Sequence, residues 1–476
     1  MPKRYVHLGR IRLDTTQGSM IRLEIALLML LCVSQYLEIA AVNLFFAATV
    51  ILVVLMMKRI EDCTLGLFVA LPMFNLLNHQ VGNISMYYLL VFVFWWRYLQ
   101  HHHWRISKKK LLVLVALMAI RLTSGEIRDN LTWVVLFSVL VLTCREDFFD
   151  DHIEKIVFYM SITFILSSAF GYLMLEEGRS IYNRGYVWSE AGVATRFAGV
   201  IGDSVFYSQF CALMVAANLA LGCYQKAYLK KSIFLSICIT AFCILTYAKT
   251  GIFLILLVVI SFIFWQFWSN ARTRKRAVYA VVIVGVVLCA LGGLAYYIAT
   301  HMDSEVVRSY LLRLTSVDLL TGRREIWAHY LGLLGDSWRT LFLAMPWDDF
   351  ALGFLSADGR VYTKTHNLYL ETVCAFGLVA SVGMLLWVLV NMLRSFKRRD
   401  GVLCLMPICV ILASGYALHG HFEFHYYTLV AIAAAFLSGK VGKTLAQQSV
   451  EGTQALSPIE DGDIDAIAKP PNGEQE

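Results

Sequence analysis

The stretch YAKTGIFLILLVVISFIFWQFW, Tyr247 to Trp268, decides the fold. From Gly251 to Trp268 it runs eighteen residues without a charge. A helix of that length rises about 27 Å, close to the roughly 30 Å hydrocarbon core of a bilayer. Working outward, similar apolar runs recur along almost the whole chain. The 476 residues are 58% hydrophobic and 16% charged, against about 25% charged in an ordinary soluble domain. The sequence therefore predicts an all-α, polytopic transmembrane helical bundle.

About fourteen spans are expected, near 20–37, 41–57, 63–78, 84–100, 111–121, 131–144, 156–175, 203–224, 232–248, 251–268, 277–299, 372–393, 402–418 and 426–441. The shorter runs leave twelve or thirteen open. Basic residues collect in alternate loops: Lys58-Arg59, Arg105 with Lys108 to Lys110, Lys226 with Lys230-Lys231, Arg272 with Arg274 to Arg276, and Arg394 with Lys397 to Arg399. Cytoplasmic loops carry such an excess, so these loops and both termini are expected in the cytoplasm. The net charge of +7 then reflects topology rather than nucleic-acid binding. The first run follows a basic N-terminus and flows into a second, which reads as a span rather than a cleaved signal. The eleven cysteines sit mostly in apolar runs, with no CxxC pair, so a disulfide framework is not expected.

Two segments break the rhythm of short loops, 176–202 and 300–371, and both fall outside the membrane on the far face in this topology. The chain thus divides into a bundle (1–299), a large late extracytoplasmic loop (300–371), further helices (372–441) and an acidic tail (442–476) that reads as disordered. Long loops in compact proteins are usually functional. No internal repeat is evident, nor any P-loop, GxSxG, HExxH or dinucleotide fingerprint.

Charged residues at the outer boundary carry the candidate chemistry. Lys249 lies between two apolar runs, where a lysine is costly unless paired or hydrated. It caps a tight turn or faces an anionic group. Arg196, in ATRFAGVIGDSVFYSQF, offers a fork suited to phosphate, while Asp203 suits a helix cap. In TGRREIW (Thr321 to Trp327), Arg323 and Arg324 would point about 100° apart on a helix, so that one of them faces a site. In KTHNLYLETVCAFG (Lys364 to Gly377), His366 is either a general base toward a hydroxyl or a structural residue beside a helix start. Asn367 suits that helix's cap, and Glu371 shares its face. The run HGHFEFH, His419 to His425, reads as an interfacial loop or as a metal cluster. His101-His102-His103 reads as a headgroup contact.

Taken together, the order of these features resembles the family of bacterial O-antigen ligases and repeat-unit polysaccharide polymerases. That family opens its long late loop with a GR…W segment, here Gly322-Arg323…Trp327. It closes the loop with HN-x-YL-E and a following glycine, here His366 to Glu371 and Gly377. An R-x-x-G segment and a Ser-Arg-type outer turn usually precede them, here Arg196 to Gly199 and Ala248 to Gly251. The match covers residues 190–385. Lys249 stands where the family more often has arginine, which removes the planar bidentate geometry.

The resemblance implies an inverting, metal-independent glycosyltransferase of the cytoplasmic membrane, with no cofactor. Its donor would be an oligosaccharide on a polyprenyl pyrophosphate. Arg196, Lys249, Arg323 and Arg324 would hold the pyrophosphate, with His366 as base and Glu371 orienting it or the acceptor. Implied partners are that lipid-linked oligosaccharide, membrane lipid, a chain-length regulator and a flippase. Polymerisation of repeat units is the expected reaction; ligation of a finished glycan is the alternative. A transporter of the same lipid-linked units is the rival from another class, though transporters favour two similar halves and midplane charges.

Overall fold

A computed structural model of the chain describes residues 5–441. It leaves out 9–10, 15–16, 79–84, 126, 174–184, 190–191, most of 271–322, 353, 356–360, 363, 399, 419, 422 and 424. Twelve helices precede residue 271: α1 Gln17–Tyr36, α2 Ala40–Met56, α3 Ile60–Ala70, α4 Phe74–Asn78, α5 Met86–His101, α6 Lys108–Leu122, α7 Ile127–Thr143, α8 Asp147–Asp150, α9 Ile153–Leu173, α10 Ser204–Tyr224, α11 Lys226–Ile244 and α12 Lys249–Asn270. Three follow in the late loop: α13 Arg323–Gly335, α14 Trp338–Phe342 and α15 Trp347–Leu352. The last three are α16 Leu368–Phe396, α17 Gly401–Gly415 and α18 Tyr426–Ser438.

Thirteen of the fourteen expected spans fall on described helices; that at 277–299 lies largely outside the described residues. Among the described residues, seven helical stretches are long and apolar enough to cross a membrane. Four more are apolar but shorter. The described residues hold three antiparallel hairpins that sequence reasoning did not anticipate: Tyr5–Leu8 with Ile11–Asp14 (β1, β2) ahead of α1, Gly185–Ser189 with Gly192–Arg196 (β3, β4) between α9 and α10, and Phe354–Leu355 with Val361–Tyr362 (β5, β6) between α15 and α16. The tail 442–476 lies outside the described residues.

Helix α10 is the axis of the bundle. Asp203 starts it, its carboxylate accepting from the N–H groups of Val205 at 2.7 Å and Phe206 at 3.0 Å, which satisfies donors the helix itself leaves open. Nearly all of its side chains are buried, against α9, α11, α12 and α17. A buried polar group must find a partner. Accordingly Gln209 donates to Ser414 at 2.6 Å, and Asn218 donates to Ser161 at 2.8 Å. In lipid, small residues let helices approach closely. A Cβ on Gly251 of α12 would stand 2.3 Å from that of Ser208 on α10. The outer helices show the reverse pattern: Phe234 and Ile237 on α11, Phe253 on α12, and Val379 and Leu386 on α16 are exposed. Such apolar surface suits lipid and is foreign to a soluble surface.

Helix α16 is broken at Gly377, whose φ of 73° and ψ of 166° belong to a region open essentially to glycine alone. The break frees carbonyls, and the late loop fills the gap. Met345 N–H donates to the Cys374 carbonyl at 2.8 Å, and Arg121 of α6 donates to the Ala375 carbonyl at 3.0 Å. Helices α13 to α15 form a small cap with its own core of Ile326, Tyr330, Leu334, Met345 and Phe350, closed by Cys374 of α16. The cap is also fixed to the end of α6: Trp347 N–H donates to the Ser124 carbonyl at 2.9 Å and Arg339 to that of Thr123 at 3.1 Å.

A Cβ at position 377 would lie 2.1 Å from the Phe342 carbonyl oxygen, on a backbone that already disfavours it. Gly377→Ala is therefore expected to destabilise the protein by at least about 2 kcal/mol, read as a lowered melting temperature in detergent. A wild-type melting temperature would refute this account of the break.

Candidate functional site

The candidate residues gather at the end of the bundle where α6 and α9 finish and α10, α12, α16 and α18 begin. The first group is built on the turn between α11 and α12. Phe197 N–H donates to the Leu245 carbonyl at 3.1 Å, and the Arg196 Nε donates to the Thr246 carbonyl at 3.0 Å. Arg196 is buried, and its fork is laid along the turn that ends at Lys249. That turn is itself tight: Tyr247 has a φ of 48°, and Thr246 Oγ1 donates to the Cys243 carbonyl at 2.7 Å while accepting from Ala248 N–H at 3.1 Å. Lys249 opens α12, half-buried. The two cations that the sequence placed 53 positions apart thus share one turn.

The second group is the strap before α16. Asn367 caps that helix, accepting from Tyr369 and Leu370 N–H groups at 3.0 Å each. Immediately before it, His366 is half-exposed with a φ of 49°, a strained left-handed conformation for a non-glycine residue. Thr365 is fully buried beneath it, and its carbonyl accepts from the Trp327 indole at 3.1 Å. Arg323 lies one helical turn before Trp327, on the same face of α13, so that face is turned toward the strap. Arg323 is half-buried, whereas Arg324 is exposed.

The two groups are joined through packed residues. Gly251 meets Ser208, Gln209 beside it bonds to Ser414, and Gly415 packs on Leu368, one residue past the cap. The structure therefore brings Arg196, Lys249, Arg323 and His366 to one end of the bundle.

Glu371 makes a contact that the sequence did not announce. The family resemblance implied an orienting role toward His366 or the acceptor. The side chain is fully buried, and one carboxylate oxygen accepts from the backbone N–H groups of Gly420 at 2.6 Å and His421 at 3.1 Å. A carboxylate can hold two amides at once, and this one anchors the loop between α17 and α18. In that loop His421 exchanges hydrogen bonds with Thr372 and Tyr427 at 2.7 Å each, and Tyr427 in turn accepts from the Trp133 indole. Glu423 pairs with Lys364 of the strap, and His425 lies between the rings of Phe74 and Phe206. The side chains of His421, Glu423 and His425 thus go to different neighbours, and the described residues contain no cluster of metal-ligand type. His419 lies outside the described residues.

The sequence reading passed over Arg121, 2% exposed at the end of α6. Its signal was available: an arginine closing an apolar run must snorkel or find a partner. Neither a family model nor a curated protein matches this chain.

Burial, with Arg121 adding to it, lowers the His421 pKa to about 3. The imidazole is therefore neutral when folded but ionises in the unfolded chain below about pH 6.5. The unfolded state then binds the extra proton, so stability contributed by this group is full above that pH and is lost as pH falls toward 3. Wild-type stability should drop by about 1.4 kcal/mol per pH unit from this group alone below roughly pH 6. His421→Gln should show a shallower decline in melting curves between pH 7 and pH 5; an unchanged slope would sink the assignment.

Proposed function

We propose that this chain is a membrane glycosyltransferase that joins oligosaccharide units carried on a polyprenyl pyrophosphate, with polymerisation of repeat units as its reaction. The observation that carries the reading is the Trp327 bond to the Thr365 carbonyl, which sets the GRR…W helix against the HN strap. Two segments that the family resemblance pairs are neighbours in space, and Arg196 and Lys249 stand at the same end.

The chemistry follows from those side chains. The acceptor hydroxyl attacks the anomeric carbon of the donor's reducing-end sugar; the new C–O bond forms as the bond to the pyrophosphate oxygen breaks, inverting the centre. His366, half-exposed at the head of α16, takes the hydroxyl proton. The leaving pyrophosphate gathers negative charge, and Arg196, Lys249 and Arg323 stabilise it by fixed, pre-placed positive charge. Arg196 is held along its turn by Thr246, so its orientation costs nothing when the charge develops. The first turn of α13 adds the positive end of a helix dipole, a feature that favours anions. Glu371 acts one step back, through the loop it anchors. Residues collected at one end rather than at midplane favour this reading over a transporter.

His366→Asn is the informative substitution, because asparagine tolerates the left-handed backbone but is no base. In a strain lacking the gene, wild type should restore a gel ladder of repeat units. The variant, at equal membrane abundance, should leave single units, with turnover reduced about 10²–10⁴-fold. Full-length chains retained on their lipid carrier would point to ligation instead. A normal ladder from the variant would end the catalytic assignment.

A further inference from the structure

At the opposite end of the bundle, α1, α9 and α11 all begin side by side. Between their first two turns lies a cavity of about 180 Å³ lined by Gly18, Glu154, Lys155, Phe158, Tyr159, Tyr228 and Lys231. These residues sit within the first seven positions of their helices, the depth at which a spanning helix meets lipid headgroups. The walls are of three kinds. Lys155 and Lys231 supply positive charge, and Lys231 lies 5.9 Å from the centre of the Phe158 ring. Phe158, Tyr159 and Tyr228 supply aromatic surface, with the Tyr228 hydroxyl directed inward to Asn218 at 3.1 Å. Glu154 is the single acid of the lining. Arg22, Lys226 and Lys230 are exposed close by on the same helix starts, with Asp151 just ahead of α9. The three helix starts add the positive ends of their dipoles.

We infer that this cavity binds the phosphodiester headgroup of an anionic membrane phospholipid. A lipid, rather than a soluble anion, is favoured by what lies directly along the helix. Phe234 follows Lys231 by three residues and Lys230 by four, on one face of α11, and Ile237 continues that face. All of Ile233, Phe234 and Ile237 are exposed. A headgroup seated at Lys155 and Lys231 therefore has an apolar track for its acyl chains running from the same opening toward the membrane interior. Aromatic rings at the boundary suit the glycerol level, where one side is apolar and the other wet. The site is independent of the proposed transferase centre, which lies at the other end.

The test uses the full-length chain in detergent, stripped of lipid and titrated with phosphatidylglycerol or phosphatidylcholine, with bound copies counted by native mass spectrometry. Wild type should hold one phosphatidylglycerol at least roughly tenfold tighter than phosphatidylcholine. The double variant Lys155→Gln/Lys231→Gln should lose that preference, while Lys231→Arg should keep it. The control Lys108→Gln/Lys109→Gln removes two exposed lysines at the same end, on α6 and outside the cavity, and should behave as wild type. Equal losses in the control would reduce the effect to diffuse surface attraction and overturn the site. So would equal binding of the two lipids, or displacement of phosphatidylglycerol by inorganic phosphate alone.

Discussion

Inside an apolar bundle no water waits to satisfy a backbone that leaves its helix, and each orphaned group costs several kcal/mol. The candidate end of this protein is organised around that constraint. It is met by two buried charges of opposite sign. Arg121 supplies a donor to the carbonyl freed where α16 breaks, and Glu371 supplies an acceptor to the paired amides of the loop after α17. Remove either charge and irregular backbone is left in a medium that does not tolerate it. Irregular backbone inside a bundle is tolerated where protein encloses it, and here it is enclosed by the cap on one side and α6, α7 and α18 on the other.

The same economy explains why the candidate cations are usable. Arg196 has part of its fork committed to the Thr246 carbonyl, which fixes its direction. His366 gains its position from a strained turn held from both sides, by the Asn367 cap and by the bond from Trp327 to Thr365. Strain of this kind persists only where the surroundings over-determine it. The preorganised groups sit on helix ends and tight turns, which are stiffer supports than a long loop.

Much of the fold was legible because a bilayer demands a long apolar run for each crossing, and composition announces such runs directly. The helix starts at Asp203 and Asn367 were equally visible, since a cap needs a particular side chain at a particular place. The hairpins β1–β2, β3–β4 and β5–β6 left no comparable trace: each is only two to five residues a strand, too short for a period-two pattern to emerge. At the site, the gathering of Arg196 with Lys249 is a tertiary event that no spacing encodes. The loop contact of Glu371 went unread for a related reason: its partners come from a loop about fifty residues later. Arg121 was hidden at the close of a span, where a basic residue ordinarily needs no explanation.

The stitching of the cap has a consequence for how the chain is made. Arg121 and the carbonyl it serves are 254 residues apart, and Thr123 and Arg339 are 216 apart. At about 5–20 residues per second, α6 emerges from the ribosome roughly 10–50 s before its partners exist. During synthesis its arginine must shelter among headgroups at the membrane boundary, and the carbonyl ends of Thr123 and Ser124 stay in water. Closure of the cap is thus among the last events of biogenesis, and a chain stalled before residue 345 still lacks α16 to α18 and with them every partner that the end of α6 is to receive.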